Sequence, residues 1–332
     1  MNILIVDNSI IPALLYGGTQ RVIWSLGKEL VKFGHKINYL VKKGSKCEFA
    51  NIISIDNNIP LYKQIPKDID IIHFNFIPKN LELIKKPYLI TIHGNTNNDY
   101  SFDKNTVFVS RNHAERHNSN SFVYNGLCFN EYSKPDLNLK KNGFHFLGKA
   151  SWGVKNLKGA IQIIKKIEHE KLNILGGNRF DERVLKMGLN YTFSSKVNFK
   201  GMIGGKEKER YLNISRGLIF PVLWHEPFGL AIIESLFYGC PVFGTPYGSL
   251  SELVINDVGY LSNKKDEIVN SIINSYDFNP KTCSEYAYET FNSKIMALNY
   301  LDKYHIVLKG DKLNKTKPQL KKVQETKYLK FE

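Results

Sequence analysis

Apolar residues lie along this chain in short, nearly continuous runs, and the stretches between them carry apolar residues at helical spacing. Residues 1–7 are mostly apolar without alternation, the pattern of a parallel strand buried on both faces. A glycine-bearing loop, Tyr16-Gly17-Gly18-Thr19, comes next. Val22, Leu26, Leu30 and Phe33 then recur at helical spacing up to Gly34, which predicts a helix over 21–33. Residues 36–41 read as the following strand. A strand–loop–helix–strand unit of this kind opens a doubly wound sheet. Further strands are predicted at 69–74, 88–92, 106–109 and 121–124.

A second series begins at residue 144. It predicts strands at 144–147, 172–175, 197–199, 217–220 and 241–244, and helices at 157–168 and 228–238. Gly239 closes the second helix and Pro241 follows it. A polar stretch at 133–142, with Pro135 and several lysines, separates the two series.

Composition narrows the picture. The chain has 332 residues, room for two domains of about 150 residues each. An apolar fraction of 42% supports packed cores and excludes a disordered chain. No run of about 20 apolar residues is present to span a bilayer. The apolar N-terminus lacks the basic region and cleavage site of a signal peptide. Cys47, Cys128, Cys240 and Cys283 are widely spaced, which argues against a zinc site or disulfide framework and makes a cytoplasmic location the expectation. A net charge of +15 admits anionic partners: nucleic acid, anionic lipid or a phosphorylated substrate. No helix-turn-helix, RNA-recognition or zinc-finger pattern accompanies the charge, so nucleic acid is not expected.

The segment richest in chemistry runs from Pro221 to Glu234, PVLWHEPFGLAIIE. It follows a strand and opens a helix. Pro227 suits the first helical turn, where a missing N–H costs nothing. Gly229 lets a ligand approach the backbone closely. Amides at Phe228, Gly229 and Leu230 then offer an anion site, helped by the helix dipole, and a diphosphate fits it. Glu234, further along the helix, is placed to accept two ribose hydroxyls. Glu226, just before the helix, is placed to meet a transferred sugar. Two other readings stay open on spacing alone. One is an ordinary strand–helix junction with two solvated glutamates. The other is a glycosidase acid pair, for which about 12 Å of helical rise compares poorly with the required separation of about 5–5.5 Å.

The segment resembles the signature of the retaining GT-B glycosyltransferases of family 4 (glycosyl transferases group 1), the glycogen-synthase and phosphatidylinositol-mannosyltransferase type. Glu226 and Glu234 match the family's Glu-x7-Glu, with Pro-Phe-Gly-Leu between them. Ser235, Gly239, Pro241, Thr245, Gly248 and Glu252 fit the stretch that follows. Pro12 with Gly17-Gly18-Thr19-Gln20-Arg21 resembles the glycine loop on the acceptor side, with Gly17 and Gly18 counted among the donor-binding residues. Thr91-Ile92-His93-Gly94 resembles the loop that sets a histidine beside the donor sugar. Gly148-Lys149 with Lys155 resembles the Gly-Arg…Lys element whose two cations hold the diphosphate. Lys149 stands where an arginine is usual, which keeps the charge without the bidentate fork. Gly176-Gly177 fits the next strand-end turn, and Gly201 and Met202 lie in a segment similar to the one that reads the nucleobase. The likeness spans about residues 1–308.

The resemblance implies an α/β, GT-B architecture of two Rossmann-like domains facing across a cleft. Residues 1–135 would be the acceptor domain and 143–290 the nucleotide-sugar domain. A helix at 291–308 would pack back on the first domain, and 309–332 would be a basic tail. The implied reaction moves a sugar from a UDP- or GDP-sugar to a glycan or lipid-linked acceptor with retention, the leaving phosphate helping to remove the acceptor proton. His93, Glu226, Lys149 and Lys155 are expected at the reacting end. Gly17, Gly18, Gly201, Met202, Phe228, Gly229, Leu230 and Glu234 form the expected donor-binding set. No cofactor and no metal are expected. Asp68-Ile69-Asp70 mimics a metal-binding Asp-x-Asp but leads into an apolar strand, and two lysines with a helix terminus can neutralise a diphosphate. By analogy the role falls in bacterial surface polysaccharide or lipopolysaccharide assembly. One rival is a sugar-nucleotide 2-epimerase, which Glu-x7-Glu argues against. Another is a non-catalytic partner subunit, which Lys149 suggests and both glutamates and His93 oppose. The tail's lysines, from Lys309 to Lys330, suggest an anionic membrane surface at the inner face of the plasma membrane, or else a solvated terminus.

Overall fold

The computed structural model describes residues 1–13, 17–274 and 277–332. The chain forms two compact units, and each is discontinuous in sequence. The first comprises Met1–Cys128 and Phe291–Gln324; the second comprises Phe129–Thr290 and Glu325–Glu332.

The first unit holds strands β1 (Asn2–Val6), β2 (Lys36–Val41), β3 (Asn51–Ser54), β4 (Ile71–Phe74), β5 (Tyr88–Ile92) and β6 (Thr106–Phe108). All pair in parallel, in the order β3-β2-β1-β4-β5-β6. Helices α1 (Gly18–Lys32) and α2 (Arg111–Glu115) flank them. Gly34 ends the first helix in a left-handed conformation at φ 82°, open to glycine without strain. Leu4, Val6, Ile72, Phe74 and Phe108 form a buried core with their neighbours.

The second unit repeats the plan. Its strands are β7 (Phe144–Leu147), β8 (Leu172–Leu175), β9 (Val197–Phe199), β10 (Leu218–Phe220), β11 (Val242–Gly244) and β12 (Gly259–Leu261). They too are parallel, ordered β12-β11-β10-β7-β8-β9. Its helices are α3 (Leu157–Lys165), α4 (Glu182–Leu185), α5 (Leu189–Thr192), α6 (Gly205–Ile214), α7 (Leu230–Phe237), α8 (Leu250–Leu253), α9 (Lys265–Ile273) and α10 (Pro280–Thr290). Asn156 caps α3 by accepting from the Gly159 amide at 3.0 Å. Both sheets thus have the Rossmann strand order, whose direction reverses between β1 and β4 and between β7 and β10.

The last helix, α11 (Ser293–Leu308), belongs to the first unit. Its Tyr304 and Tyr300 hydroxyls lie 2.8 Å from His73 Nδ1 and 3.0 Å from Thr91 Oγ1, beneath β4 and β5. Beyond it the chain is neither a free arm nor a solvated terminus. Asn314 donates to the Thr106 carbonyl, and the Gln319 amide donates to the His117 carbonyl, both at 2.9 Å. Residues 325–332 return to the second unit, where Phe331 packs against the core and the Leu329 amide donates to Leu223 O at 2.8 Å. The tail's lysines remain exposed around this fixed backbone.

Three local expectations change. Residues 121–124 make only an isolated bridge, Phe108 to Phe122, in place of a strand. The helix expected from 228 starts at Leu230, because Gly229 turns left-handed (φ 83°) and so breaks helical continuity with Pro227. Pro227 is therefore not a first-turn residue, and the amides at the start of α7 are those of Leu230 and Ala231. The polar stretch near 133–142, expected to separate the two halves, lies inside the second unit, which begins at Phe129: Glu209 accepts from the Ser133 amide and hydroxyl at 2.9 and 2.6 Å, and Asn213 accepts from the Asp136 amide.

Candidate functional site

In doubly wound sheets, ligands collect at the carboxyl ends of the strands beside the reversal of order. In the second unit those strands are β7 and β10. The loop after β7 carries Gly148 and Lys149 and then a single tight turn, Gly153–Lys155. The loop after β10 carries Pro221 through Glu226. Asn156 ties the two by donating to the Pro221 carbonyl at 2.9 Å.

They meet in one buried ion pair. Lys155 Nζ donates to Glu226 Oε2 at 2.6 Å. Trp224 Nε1 donates to the same oxygen at 2.7 Å. The ammonium sits 5.1 Å from the ring centroids of both Trp224 and Phe220, a cation–π seat. Both charges are buried, so each needs the other. Glu226 Oε1 has no hydrogen-bond partner among the described residues.

Glycines shape the seat. Gly248 (φ 69°) bridges Glu226 so closely that a Cβ there would overlap the Glu226 backbone. A Cβ on Gly229 would stand 3.2 Å from Glu226 Cγ. Lys149 has no carboxylate partner among the described residues, and its ammonium lies 5.6 Å from the Trp152 ring centroid. Gly201 O accepts from the Gly176 and Gly177 amides at 2.9 and 3.3 Å, which joins the strand-end turns after β8 and β9. Met202 next to it is exposed. Phe228 is buried and Leu230 half-buried.

Glu234 has a different setting. It is 1% exposed and pairs with buried Lys208 of α6. The Tyr132 hydroxyl donates to the same oxygen, Oε1, at 3.1 Å. Each glutamate thus has its own lysine. On the other face of α7, His145 of β7 sits between Ser215 and Ser235 at 2.7 and 2.8 Å. Burial pushes its pKa down to about 3, so it is neutral and fixes the helix by hydrogen bonds alone.

The first unit carries the remaining expected residues. His93 follows β5, and its Nε2 lies 2.9 Å from Asn75 Oδ1. Asn75 directs its amide nitrogen at the Val6 carbonyl, so its oxygen faces the imidazole and Nε2 carries the proton. Burial lowers the His93 pKa to about 4. The ring is therefore neutral, and Nδ1, without a partner among the described residues, is an acceptor. Gly17 and Gly18 stand at the start of α1, while Tyr16 lies outside the described residues. Asp68 and Asp70 hold Asn2 at the amino ends of the strands, opposite His93. Among the described residues no group of three or more His, Cys, Asp or Glu is placed to hold a metal.

Sequence reading missed Trp224, Lys208, Tyr132 and Asn75. Trp224 had one signal, its place two residues before Glu226 on an extended segment. Lys208 had none, since a lysine in the charged helix GKEKERYLNI reads as solvated.

Two Rossmann-ordered units, the second with a paired carboxylate at its strand reversal, define the fold of the GT-B glycosyltransferases. Residues 130–290, just under half of the chain and nearly all of the second unit, match the model of the family Glycosyl transferases group 1. AviGT4, a glycosyltransferase involved in avilamycin A biosynthesis, superposes with a TM-score of 0.75 at 18% identity, over 93% of this chain and 98% of that one. HepE from Anabaena in complex with UDP-glucose superposes with a TM-score of 0.67 at 15% identity, over 92% of this chain and 99% of that one. Sucrose synthase 1 from Oryza sativa subsp. japonica is 36% identical over 52 residues, 16% of this chain and 6% of that protein.

Proposed function

We propose that this protein is a retaining, metal-independent glycosyltransferase of family 4, taking a sugar from a nucleotide-sugar and passing it to a glycan or lipid-linked acceptor of surface polysaccharide or lipopolysaccharide assembly. The observation that carries this reading is Glu226: one carboxylate oxygen held by Lys155 and Trp224, the other without a hydrogen-bond partner among the described residues, at the strand reversal of the second unit. A diphosphate set against Lys149, Lys155 and the start of α7 finds charge and dipole partners without a metal. Glu226 Oε1 then accepts from the transferred sugar, and Glu234 from the ribose. In the first unit, His93 keeps Nδ1 for a substrate hydroxyl. During transfer the acceptor oxygen bonds to the anomeric carbon on the face the phosphate leaves. The bond from that carbon to the phosphate oxygen breaks, and the departing phosphate takes the acceptor proton.

UDP-glucose is the first donor to examine, because HepE binds it. Calorimetric titration with UDP- and GDP-sugars in EDTA tests the reading. One donor is expected to bind, and Glu234→Gln to weaken it at least about tenfold, the worth of one hydrogen bond to a charged group. Absence of binding to every nucleotide-sugar would overturn the proposal. Release of free sugar at the same rate with and without acceptor would favour the epimerase. Binding or transfer that needs Mn²⁺ or Mg²⁺ would refute the metal-free phosphate site.

A further inference from the structure

The connection from β8 to β9 carries an apolar surface that the fold leaves uncovered. Phe180 and Leu189 are the most exposed large apolar side chains among the described residues, at 70% and 65%, and Phe193 is 49% exposed. They form one patch. The rings of Phe180 and Phe193 meet edge-on with centroids 6.2 Å apart. Leu189 and Phe193 lie one helical turn apart, joined by a 2.9 Å bond from the Phe193 amide to the Leu189 carbonyl.

Cations collar this patch. The Arg179 guanidinium lies 5.2 Å from the Phe193 centroid. Lys158 and Lys165 of α3 lie 5.0 and 5.3 Å from the ring of Tyr191, in the middle of α5. The Gln162 hydrogen bond first, then Lys158, Lys165 and Lys265, draw the Tyr191 hydroxyl below its ordinary pKa. The neighbouring carboxylates are engaged: Asp181 caps α4, Glu182 pairs with Lys186, and Asp266 pairs with Lys166.

We propose that this surface docks the protein on an anionic lipid bilayer, with Phe180, Leu189 and Phe193 entering the interface and Arg179, Lys158 and Lys165 meeting lipid phosphates. Protruding apolar side chains inside a basic collar match both layers of such an interface. A second copy of the chain fits poorly. Two cationic patches would oppose each other, and three side chains fall short of the roughly 800 Å² per partner of a stable protein interface. The patch hangs between Gly176-Gly177 and Gly201, so a docked molecule holds its proposed donor segment at the lipid surface. The docking does not depend on that assignment.

Sedimentation with vesicles of phosphatidylcholine, with and without phosphatidylglycerol, tests the proposal on the full chain. Wild type is expected to pellet with the anionic vesicles and to be released by salt. The triple variant F180S/L189S/F193S is expected to lose at least about tenfold in partitioning, as is K158E/K165E, both with wild-type melting temperatures. Should the triple variant unfold, Phe180→Ser alone serves, with a loss of about threefold. A wild type that stays in the supernatant, or a folded triple variant that pellets as wild type does, overturns the proposal. So does a dimer seen by light scattering that the triple variant abolishes, which would give the patch to a second copy. Vesicle binding without binding of any UDP- or GDP-sugar would count against the transferase reading and leave the docking surface standing.

Discussion

Lys155 and Glu226 neutralise each other out of water, and neither charge is stable there alone. Lys155→Met is expected to cost about 3–5 kcal/mol in urea unfolding, because it strands a buried carboxylate. The double variant Lys155→Met/Glu226→Gln should recover much of that loss while donor binding stays absent, which separates the structural from the functional share. Buried histidines set an acid limit, His113 among them. His73, His93 and His145 have pKa values lowered by burial to about 3, 4 and 3, against an ordinary value of 6.5. Unfolding frees each to take a proton near 6.5, so their contribution is complete above that pH and is lost as pH falls toward 3–4. Urea midpoints are expected to drop between pH 6.5 and 4, and His145→Gln to flatten the slope. The two glutamates were legible because their spacing is fixed along one segment, and Lys155 because it stands at a fixed distance from Gly148-Lys149 in another. Their partners were not: Lys208 and Tyr132 reach Glu234 from distant positions that only the folded chain brings together.

At the scale of elements, glycines decide how closely the loops approach. Gly248→Ala is expected to lower the melting temperature more than Gly229→Ala. Both add a side chain at positive φ, costing about 1–2 kcal/mol, but only the Gly248 change drives a Cβ into the Glu226 backbone. Thermal melts of the two variants check the order. Strands β5, β7 and β8 were readable to the residue because buried parallel strands are mostly apolar, each of these carrying a single polar residue among apolar ones. Edge strands β3 (NIIS) and β12 (GYL) were missed; one is too polar and the other too short to stand out. Helices α4 and α5 have four residues each, less than a period pattern needs. The start of α7 was misplaced because Pro227 is a good first-turn residue in isolation, whereas Gly229 takes the left-handed turn that sets Glu226 beside Lys155.

Across the whole molecule, the chain passes from unit to unit three times, after Cys128, Thr290 and Gln324. The last passage delivers Phe331 to the core of the second unit, with Glu332 donating to Asn263 O at 2.9 Å and accepting from the Lys265 amide at 2.6 Å. Deleting residues 325–332 is expected to remove about 2 kcal/mol of stability, the worth of one large apolar side chain, and calorimetry should show it as a lowered transition. The same deletion removes Lys327 and Lys330, yet vesicle binding through Phe180, Leu189 and Phe193 should persist.

The interleaving also governs how the protein can be born. As it leaves the ribosome, the first unit has its sheet after residue 128 but must wait for Tyr300 and Tyr304 to cover His73 and Thr91. At a synthesis rate of about 5–20 residues per second, that wait is on the order of ten seconds. The second unit waits in turn for Phe331. The first unit cannot finish before residues 129–290 of the second have been made, and the second cannot finish before the first is complete, so strictly sequential domain-by-domain folding is closed to this chain, and its nascent form exposes unfinished apolar surface of the kind that chaperones hold.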